Sequence, residues 1–237
     1  MKFAIIAAGE GSRLAQEGVA QPKPLIPLVG VPMIERLVRI FVGCQADEIL
    51  IIVNELHPAT RAFVDRLAAE HPEWPLRIIV QTTPSSMHSF AALAPHLADA
   101  PFVLTTVDTI FREPDFRAFV DAFGRALATG YDGLMAVTDH IDDESPLYIG
   151  TDEALNIDGF FDQREPRFRY ISGGIYALAP RAIQTLHRCM AEGQSRMRNF
   201  QRGLIADGLR LRAHVFPKIL DVDHASDIAK AEQFLQS

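Results

Sequence analysis

Lysine is scarce in this chain: only Lys2, Lys23, Lys218 and Lys230 occur in 237 residues. Cysteine is scarcer still. Cys44 and Cys189 stand alone without metal-ligand spacing, which excludes a cysteine metal cluster and reads as reduced thiols in a cytosolic protein. The basic residues are scattered and the net charge is −7, so there is no basic stripe of the kind a nucleic-acid duplex requires. No apolar run approaches a membrane span, and the six-residue run after Lys2 is too short for a secretory signal. The expectation is a cytoplasmic protein without nucleic-acid or membrane partners. Familiar motifs are missing too. No G-x-S-x-G elbow offers a serine nucleophile, no G-x-x-x-x-G-K-[ST] string forms a Walker A loop, and a dinucleotide G-x-G-x-x-G fails because Leu14 stands at its sixth position.

What is present is concentrated near the start. The apolar run Phe3 to Ala8 reads as a buried strand. It delivers Ala7-Ala8-Gly9-Glu10-Gly11-Ser12-Arg13-Leu14, and Pro22-Lys23-Pro24-Leu25 follows. The glycines permit positive φ and let successive backbone N–H groups face one concavity, a site for phosphate oxygens. Arg13 adds a planar fork of donors, and the flanking prolines leave Lys23 little backbone freedom. Gly9 and Gly11 alone would describe an ordinary strand-to-helix turn; with Arg13 and Lys23 added, the reading is a site for a nucleoside triphosphate.

Strand and helix patterns alternate from residue 3 to residue 137. Strands are predicted at Phe3–Ala8, Glu48–Val53, Leu76–Gln81, Phe102–Val107 and Gly133–Val137. Helices are predicted from Val31-Pro32 through Val42, at Ala59–Glu70, Ser89–Leu97 and Asp115–Thr129. That order argues for a largely parallel sheet covered on both faces. After Thr138 the rhythm changes. An acidic loop, Asp139 to Glu144, precedes short strands at Leu147–Ile149 and Leu155–Phe161 and a longer one at Tyr170–Leu178. Helices at Pro180–Met190 and Ser195–Ala206, a strand at Leu211–Val215 and a helix at Ala225–Leu235 complete the pattern. With no internal repeat or low-complexity linker, the chain is expected to be one domain over residues 1–237.

A-A-G-x-G-x-R-L followed by P-K-P-L resembles the signature of the nucleotidyltransferases that activate sugar-1-phosphates and related phosphorylated molecules. The chain is also similar to bacterial choline-phosphate cytidylyltransferases. The resemblance is sharp in the first thirty residues and at a few later points. It implies a three-layer α/β/α Rossmann-like domain with a mostly parallel mixed sheet, dependence on Mg2+ and release of pyrophosphate. Residues 1–137 would form the nucleotide-binding part, and residues 138–237 the acceptor-binding and closing part with its small β-rich lobe. Ala8, Gly9, Gly11, Ser12 and Arg13 would hold the triphosphate, with Arg13 and Lys23 as the catalytic cations. Gln81 and Ser86, in Gln81 to Phe90, match the family's base-contact places; Ser89 is also a candidate helix cap. Asp108 ends a strand at the carboxyl edge where ligands bind, and the family's metal aspartate occupies that place. A carboxylate capping the following turn is the other reading. The second metal carboxylate is expected from Asp221-Val222-Asp223, whose alternate residues share a face in a strand, with Asp223 ranked ahead of Asp221; one of them capping the last helix is the alternative.

For the acceptor, Ser172-Gly173-Gly174-Ile175-Tyr176 resembles the family's N-x-G-I-Y strand, which assigns Gly174 to that site. Arg164-Glu165-Pro166 stands where sugar-activating members often carry E-K-P, which nominates Arg164 and Glu165. Arg167 and Arg169 are candidates for the acceptor phosphate, and Phe160, Phe161 and Phe168 for a cation-binding wall or for core. The expected partners are an NTP and a phosphorylated small-molecule acceptor, a sugar-1-phosphate first and phosphocholine or another phospho-alcohol next. A nucleotide-sugar glycosyltransferase would not need Arg13 or Pro22-Lys23-Pro24, and a nucleotide sensor would bind NTP without releasing pyrophosphate.

Overall fold

The computed structural model describes residues 1–142 and 144–237; Asp143, within the acidic loop, lies outside the described residues. Strand β1 (Lys2–Ala7) leads through the glycine loop into a short helix α1 (Ser12–Gln16). A 3-10 turn at Lys23–Leu25 and a hairpin of β2 (Pro27–Leu28) and β3 (Val31–Pro32) lead into α2 (Met33–Gly43). There follow β4 (Glu48–Val53), α3 (Pro58–Glu70), β5 (Leu76–Val80), α4 (Ser86–Leu93), β6 (Phe102–Thr106), β7 (Thr109–Ile110) and α5 (Glu113–Ala128). The second half holds β8 (Gly133–Thr138), β9 (Tyr148–Thr151), β10 (Ile157–Phe161), β11 (Tyr170–Leu178), α6 (Ala182–Ala191) and α7 (Met197–Ala206). It ends with β12 (Leu211–Val215), β13 (Leu220–Asp221) and α8 (Ala225–Gln236).

One sheet runs β10-β9-β11-β6-β1-β4-β5, with β8 beside β11 and β12 beside β8. Strands β6, β1, β4 and β5 are mutually parallel, whereas β11 runs antiparallel to β6, β8 and β9. The first half is therefore a parallel sheet, and the second half adds antiparallel pairs around β11.

Successive residues of β1 feed opposite cores, as strand geometry requires. Phe3, Ile5 and Ala7 pack with Phe41, Phe116, Phe119 and Phe234 from α2, α5 and α8. Ala4 and Ile6 pack with Phe90, Leu186 and Phe200 from α4, α6 and α7. These two apolar layers are why the buried strands read as continuous hydrophobic runs and the helices as amphipathic ones. The sheet's carboxyl edge is left for the loops.

Some local expectations need correction. Val31 and Pro32 form β3 rather than opening a helix, because Pro27 and Leu28 pair with them and α2 starts only at Met33. Helix α4 starts at Ser86, and its cap is Ser85, whose Oγ accepts from His88 N at 3.3 Å. Ser89 is buried instead, its hydroxyl 2.6 Å from Thr83 Oγ1. Several serines could have capped, and packing of Met87 and Phe90 against the sheet selected Ser85.

Candidate active site

Gly11 sits at φ 63° as the residue before α1, a conformation that disfavours any side chain. A Cβ there would also stand 3.0 Å from Lys23 Cβ, so the two motifs of the signature are packed on one another. Gly9 differs from expectation: it is not among the positive-φ residues, and a Cβ on it would meet nothing within 4 Å. Its missing side chain leaves open space.

The loop is anchored by a residue that sequence reasoning missed. Asn54, 1 % exposed at the end of β4, donates from Nδ2 to the Ala8 carbonyl at 3.0 Å. Its Oδ1 accepts from Leu56 N at 2.9 Å and from Thr82 Oγ1 at 2.8 Å. The available signal was an asparagine closing an otherwise apolar strand at the ligand-binding edge.

Lys23 is held between prolines in a turn where Leu25 N donates to the Pro22 carbonyl and Ile26 N to the Lys23 carbonyl. Its ammonium, with only 13 % of the side chain exposed, forms ion pairs with Asp108 and with Asp223 Oδ1, the latter at 2.7 Å. Burial works against the charge, yet Asp108 and then Asp223 outweigh it and hold the ammonium above its ordinary pKa. Burial likewise penalises the Asp108 carboxylate, and the Lys23 charge more than compensates, keeping it ionised below its usual range. Arg13 Nη1 reaches Asp223 Oδ2 at 3.6 Å, so both cations of the signature converge on Asp223.

The two aspartates near the C-terminus part company. Strand β13 is only two residues long, pairing Leu220 with Ile110 and Asp221 with Thr109. Val222 N then donates to the Asp108 carbonyl at 3.1 Å, and the strand ends before Asp223. Asp223 pairs with Lys23 and Asp221 with Thr109, although both line one cavity. Asp221 is hydrogen-bonded by Thr109 and keeps a solvent-exposed side chain, yet enclosure by the surrounding cleft, then the negative charges of Asp108 and Asp223, push its pKa above the carboxylate range. Neither aspartate caps α8: His224 is the cap residue, with Asp227 accepting from His224 N at 2.9 Å. His224 Nδ1 also meets Glu17 Oε1 at 2.6 Å, tying the end of α1 to the start of α8.

Three adjoining cavities meet at these groups. The first, about 600 Å³, is lined by Ala8, Gly9, Gly11, Ser12, Arg13, Lys23, Ser86, Asp108 and Asp223. Gln81, by contrast, is exposed and does not line it; Thr83 and Ser85 do. The second, about 470 Å³, shares Ser85, Ser86 and Thr106 with the first and is floored by Asp221, Gly174, Tyr176 and Gln201. The third, about 350 Å³, shares Arg13 and Asp223 with the first and adds His140, Asp142, Asp221 and Lys230. Arg164 and Glu165 are exposed and line none of the three; Glu165 instead accepts from Arg167 Nε at 3.2 Å. Arg167 is further engaged by Asp158 at 3.2 Å and lies over the stacked rings of Phe161 and Phe168. Arg169 pairs with Asp139 at 3.4 Å. The carboxylate of this turn that faces the second cavity's wall is Asp162, ion-paired to Arg198 at 2.6 Å and Arg202 at 2.7 Å.

Among the described residues no three His, Cys, Asp or Glu side chains are grouped so as to enclose a metal ion; the expected arrangement is a pair, Asp108 with Asp223 or Asp221. Asp108 and Asp223 converge on one cation, the Lys23 ammonium. Two hard carboxylates completed by substrate phosphates and water are a donor set that suits Mg2+.

A parallel sheet with a glycine loop, two converging cations and paired carboxylates at its carboxyl edge defines an α/β protein whose edge site suits anionic groups. The chain belongs to the family of MobA-like NTP transferase domains, whose match spans residues 3–206. It is 32% identical over 142 residues to a glucose-1-phosphate thymidylyltransferase of Actinoplanes sp., covering 59% of this chain and 46% of that protein. It is 26% identical over 113 residues to the CMP-5'-(3-aminopropyl)phosphonate synthase of Streptomyces rubellomurinus, covering 47% of this chain and 18% of that protein. The matched segment thus spans less than half the length of either curated relative. Among solved structures, a candidate glucose-1-phosphate thymidylyltransferase from Bacillus anthracis, in complex with a sucrose, superimposes with TM-score 0.85 at 20% identity, over 100% of this chain and 96% of that one. The inositol-1-phosphate CTP transferase of T. maritima gives 0.76 at 13% identity, over 99% and 97%. Both share the fold. No described helix is long and apolar enough to cross a membrane.

Proposed function

We propose that this protein transfers a nucleoside monophosphate from an NTP to the phosphate of a small acceptor, releasing pyrophosphate. The observation that carries this reading is the convergence of Arg13 and Lys23 on Asp223, beside Asp108, at the wall of the cavity built by the glycine loop. The loop receives the triphosphate, and Arg13 and Lys23 offset the negative charge of the α-phosphate and the departing pyrophosphate. An acceptor phosphate oxygen bonds to the α-phosphorus as the bond to the bridging oxygen of the β-phosphate breaks. The electron pair leaves with pyrophosphate, and no proton need move because the attacking phosphate is already ionised. Asp108 and Asp223 would hold Mg2+, which supplies further neutralisation of phosphate charge.

Residues 1–137 serve the nucleotide, and residues 138–237 contribute Gly174 to the acceptor cavity and Asp223 to the closing edge. A sugar-1-phosphate is the leading acceptor, in keeping with the thymidylyltransferase relative. The similarity to the aminopropylphosphonate synthase supports a second reading, cytidylyl transfer to a phospho-alcohol or phosphocholine. Incubation with each NTP, Mg2+ and a panel of phosphorylated acceptors should release pyrophosphate with at least one pair. Tight NTP binding without release from any pair would replace transfer with nucleotide sensing.

A further inference from the structure

Helix α1 is five residues long, too short to hold itself together, and only its Leu14 is buried. The place of Arg13 therefore rests on what the rest of α1 meets. Glu17 closes the helix, its N–H donating to the Arg13 carbonyl at 3.0 Å, so the two side chains stand one turn apart on one face. That face lies along Asp223, His224 and Ala225. Arg13 Nη1 reaches Asp223 Oδ2 at 3.6 Å. Glu17 Oε1 meets His224 Nδ1 at 2.6 Å, and Glu17 Oε2 accepts from Ala225 N at 2.6 Å. The first N–H groups of α8 have no partner inside that helix, and a carboxylate suits them both as acceptor and as charge.

The order of charges fixes the register. A cation followed by an anion on α1 faces an anion followed by N–H donors on the partner segment. A slip of one turn would set Glu17 against Asp223 and Arg13 against the positive end of α8, and both contacts would repel.

The contacts differ in what substrate does to them. On the reading above, Arg13 turns from Asp223 to phosphate when the site fills. The Arg13–Asp223 pair suits that exchange, because the two side chains are 60 % and 46 % exposed and water already screens them. The Glu17 bonds use no atom that phosphate or a metal would take, so they persist.

We propose that Glu17 is the positioning residue for Arg13: it keeps α1 docked on the start of α8, so that Arg13 reaches the triphosphate from a fixed helix once it releases Asp223. This rests on the nucleotide-binding part of the reading above.

Calorimetric titration with ATP, GTP, CTP, UTP and dTTP, with and without Mg2+, gives the Kd of the nucleotide that binds. Pyrophosphate release with the acceptor panel then gives both KM values. Glu17→Ala should weaken NTP binding about 10-fold, or about 1.4 kcal/mol, and raise KM for NTP by the same factor while KM for the acceptor stays unchanged. Glu17→Gln, which keeps a side-chain oxygen for Ala225 N, should recover most of the loss. Glu17 is exposed, so neither variant takes anything from the core. The decisive comparison is the double variant. Arg13→Ala with Glu17→Ala should bind NTP no more weakly than Arg13→Ala alone, because a residue that acts only through Arg13 then has nothing left to position. Unchanged NTP affinity in Glu17→Ala, or losses that add in the double variant, overturns the positioning role. Nucleotide binding without pyrophosphate from any acceptor overturns transfer, while the binding measurements still decide the role of Glu17. A wild type that binds none of the nucleotides overturns both.

Discussion

Replacing Lys23 with methionine keeps most of the side chain's volume and deletes its charge. The ammonium is 2.7 Å from Asp223 Oδ1 and also bonded to Asp108, whose side chain is only 20 % exposed. Removing one partner of a buried pair leaves an uncompensated charge and costs about 3–5 kcal/mol. Asp223 is 46 % exposed, so water screens its share, and proton uptake by Asp108 relieves more. About 2–3 kcal/mol is expected at pH 7, which for a chain of this size lowers Tm by roughly 4–12 °C. The pH dependence has a definite sign. The wild-type Asp108 pKa is depressed, so its contribution to stability is complete above the unfolded value of about 3.9 and is lost as pH falls through the folded pKa. In Lys23→Met the depression is gone, so the stability gap between the two proteins should be widest near neutrality and close below about pH 4. Mg2+ should stabilise the variant more than the wild type, because two carboxylates that shared an ammonium then await a cation. Turnover should fall by about 10²–10³. Thermal denaturation at several pH values with and without Mg2+, alongside pyrophosphate release, measures all of this. A variant within about 0.5 kcal/mol of wild type at every pH, or one with near-normal turnover, would refute the reasoning.

Asp108→Asn should lower turnover by at least about 100-fold and shift the Mg2+ titration of activity to higher concentration; an unchanged titration moves the metal elsewhere. Gly11→Ala places a Cβ at φ 63° and 3.0 Å from Lys23 Cβ. It should cost about 1–2 kcal/mol in denaturant unfolding and raise KM for NTP, whereas Gly9→Ala, with no Cβ neighbour within 4 Å, should leave stability within about 1 kcal/mol of wild type. Asn54→Ala strips the Ala8 carbonyl, Leu56 N and Thr82 hydroxyl of a partner and should cost about 2–3 kcal/mol, with weaker NTP binding by titration.

Strand β4, strand β11 and the glycine loop were legible in the chain itself. Continuous apolar runs, glycine at a positive-φ turn and lysine between prolines are local facts, and local chemistry constrains them whatever the rest does. The short pairs β2–β3 and β7–β13 were not legible, because two residues carry no periodicity. It is β13, closing on β7, that sets Asp221 opposite Thr109, two residues ahead of the Asp223 that meets Lys23. The same limit explains the base and acceptor contacts. Gln81 ended a strand at the correct edge but is exposed outside the cavity, and Arg164 and Glu165 are exposed on a turn whose Asp162 alone pairs with α7. Glu17 gave no signal at all, since a glutamate closing a short helix is ordinary until its partners at the start of α8 are known. The sequence by itself determined the fold class and the glycine loop at the end of β1, because both follow from neighbours along the chain. Which carboxylate meets which cation, and which polar groups line each cavity, depended on contacts between residues as distant as Lys23 and Asp223, and only packing of the whole sheet brings those together.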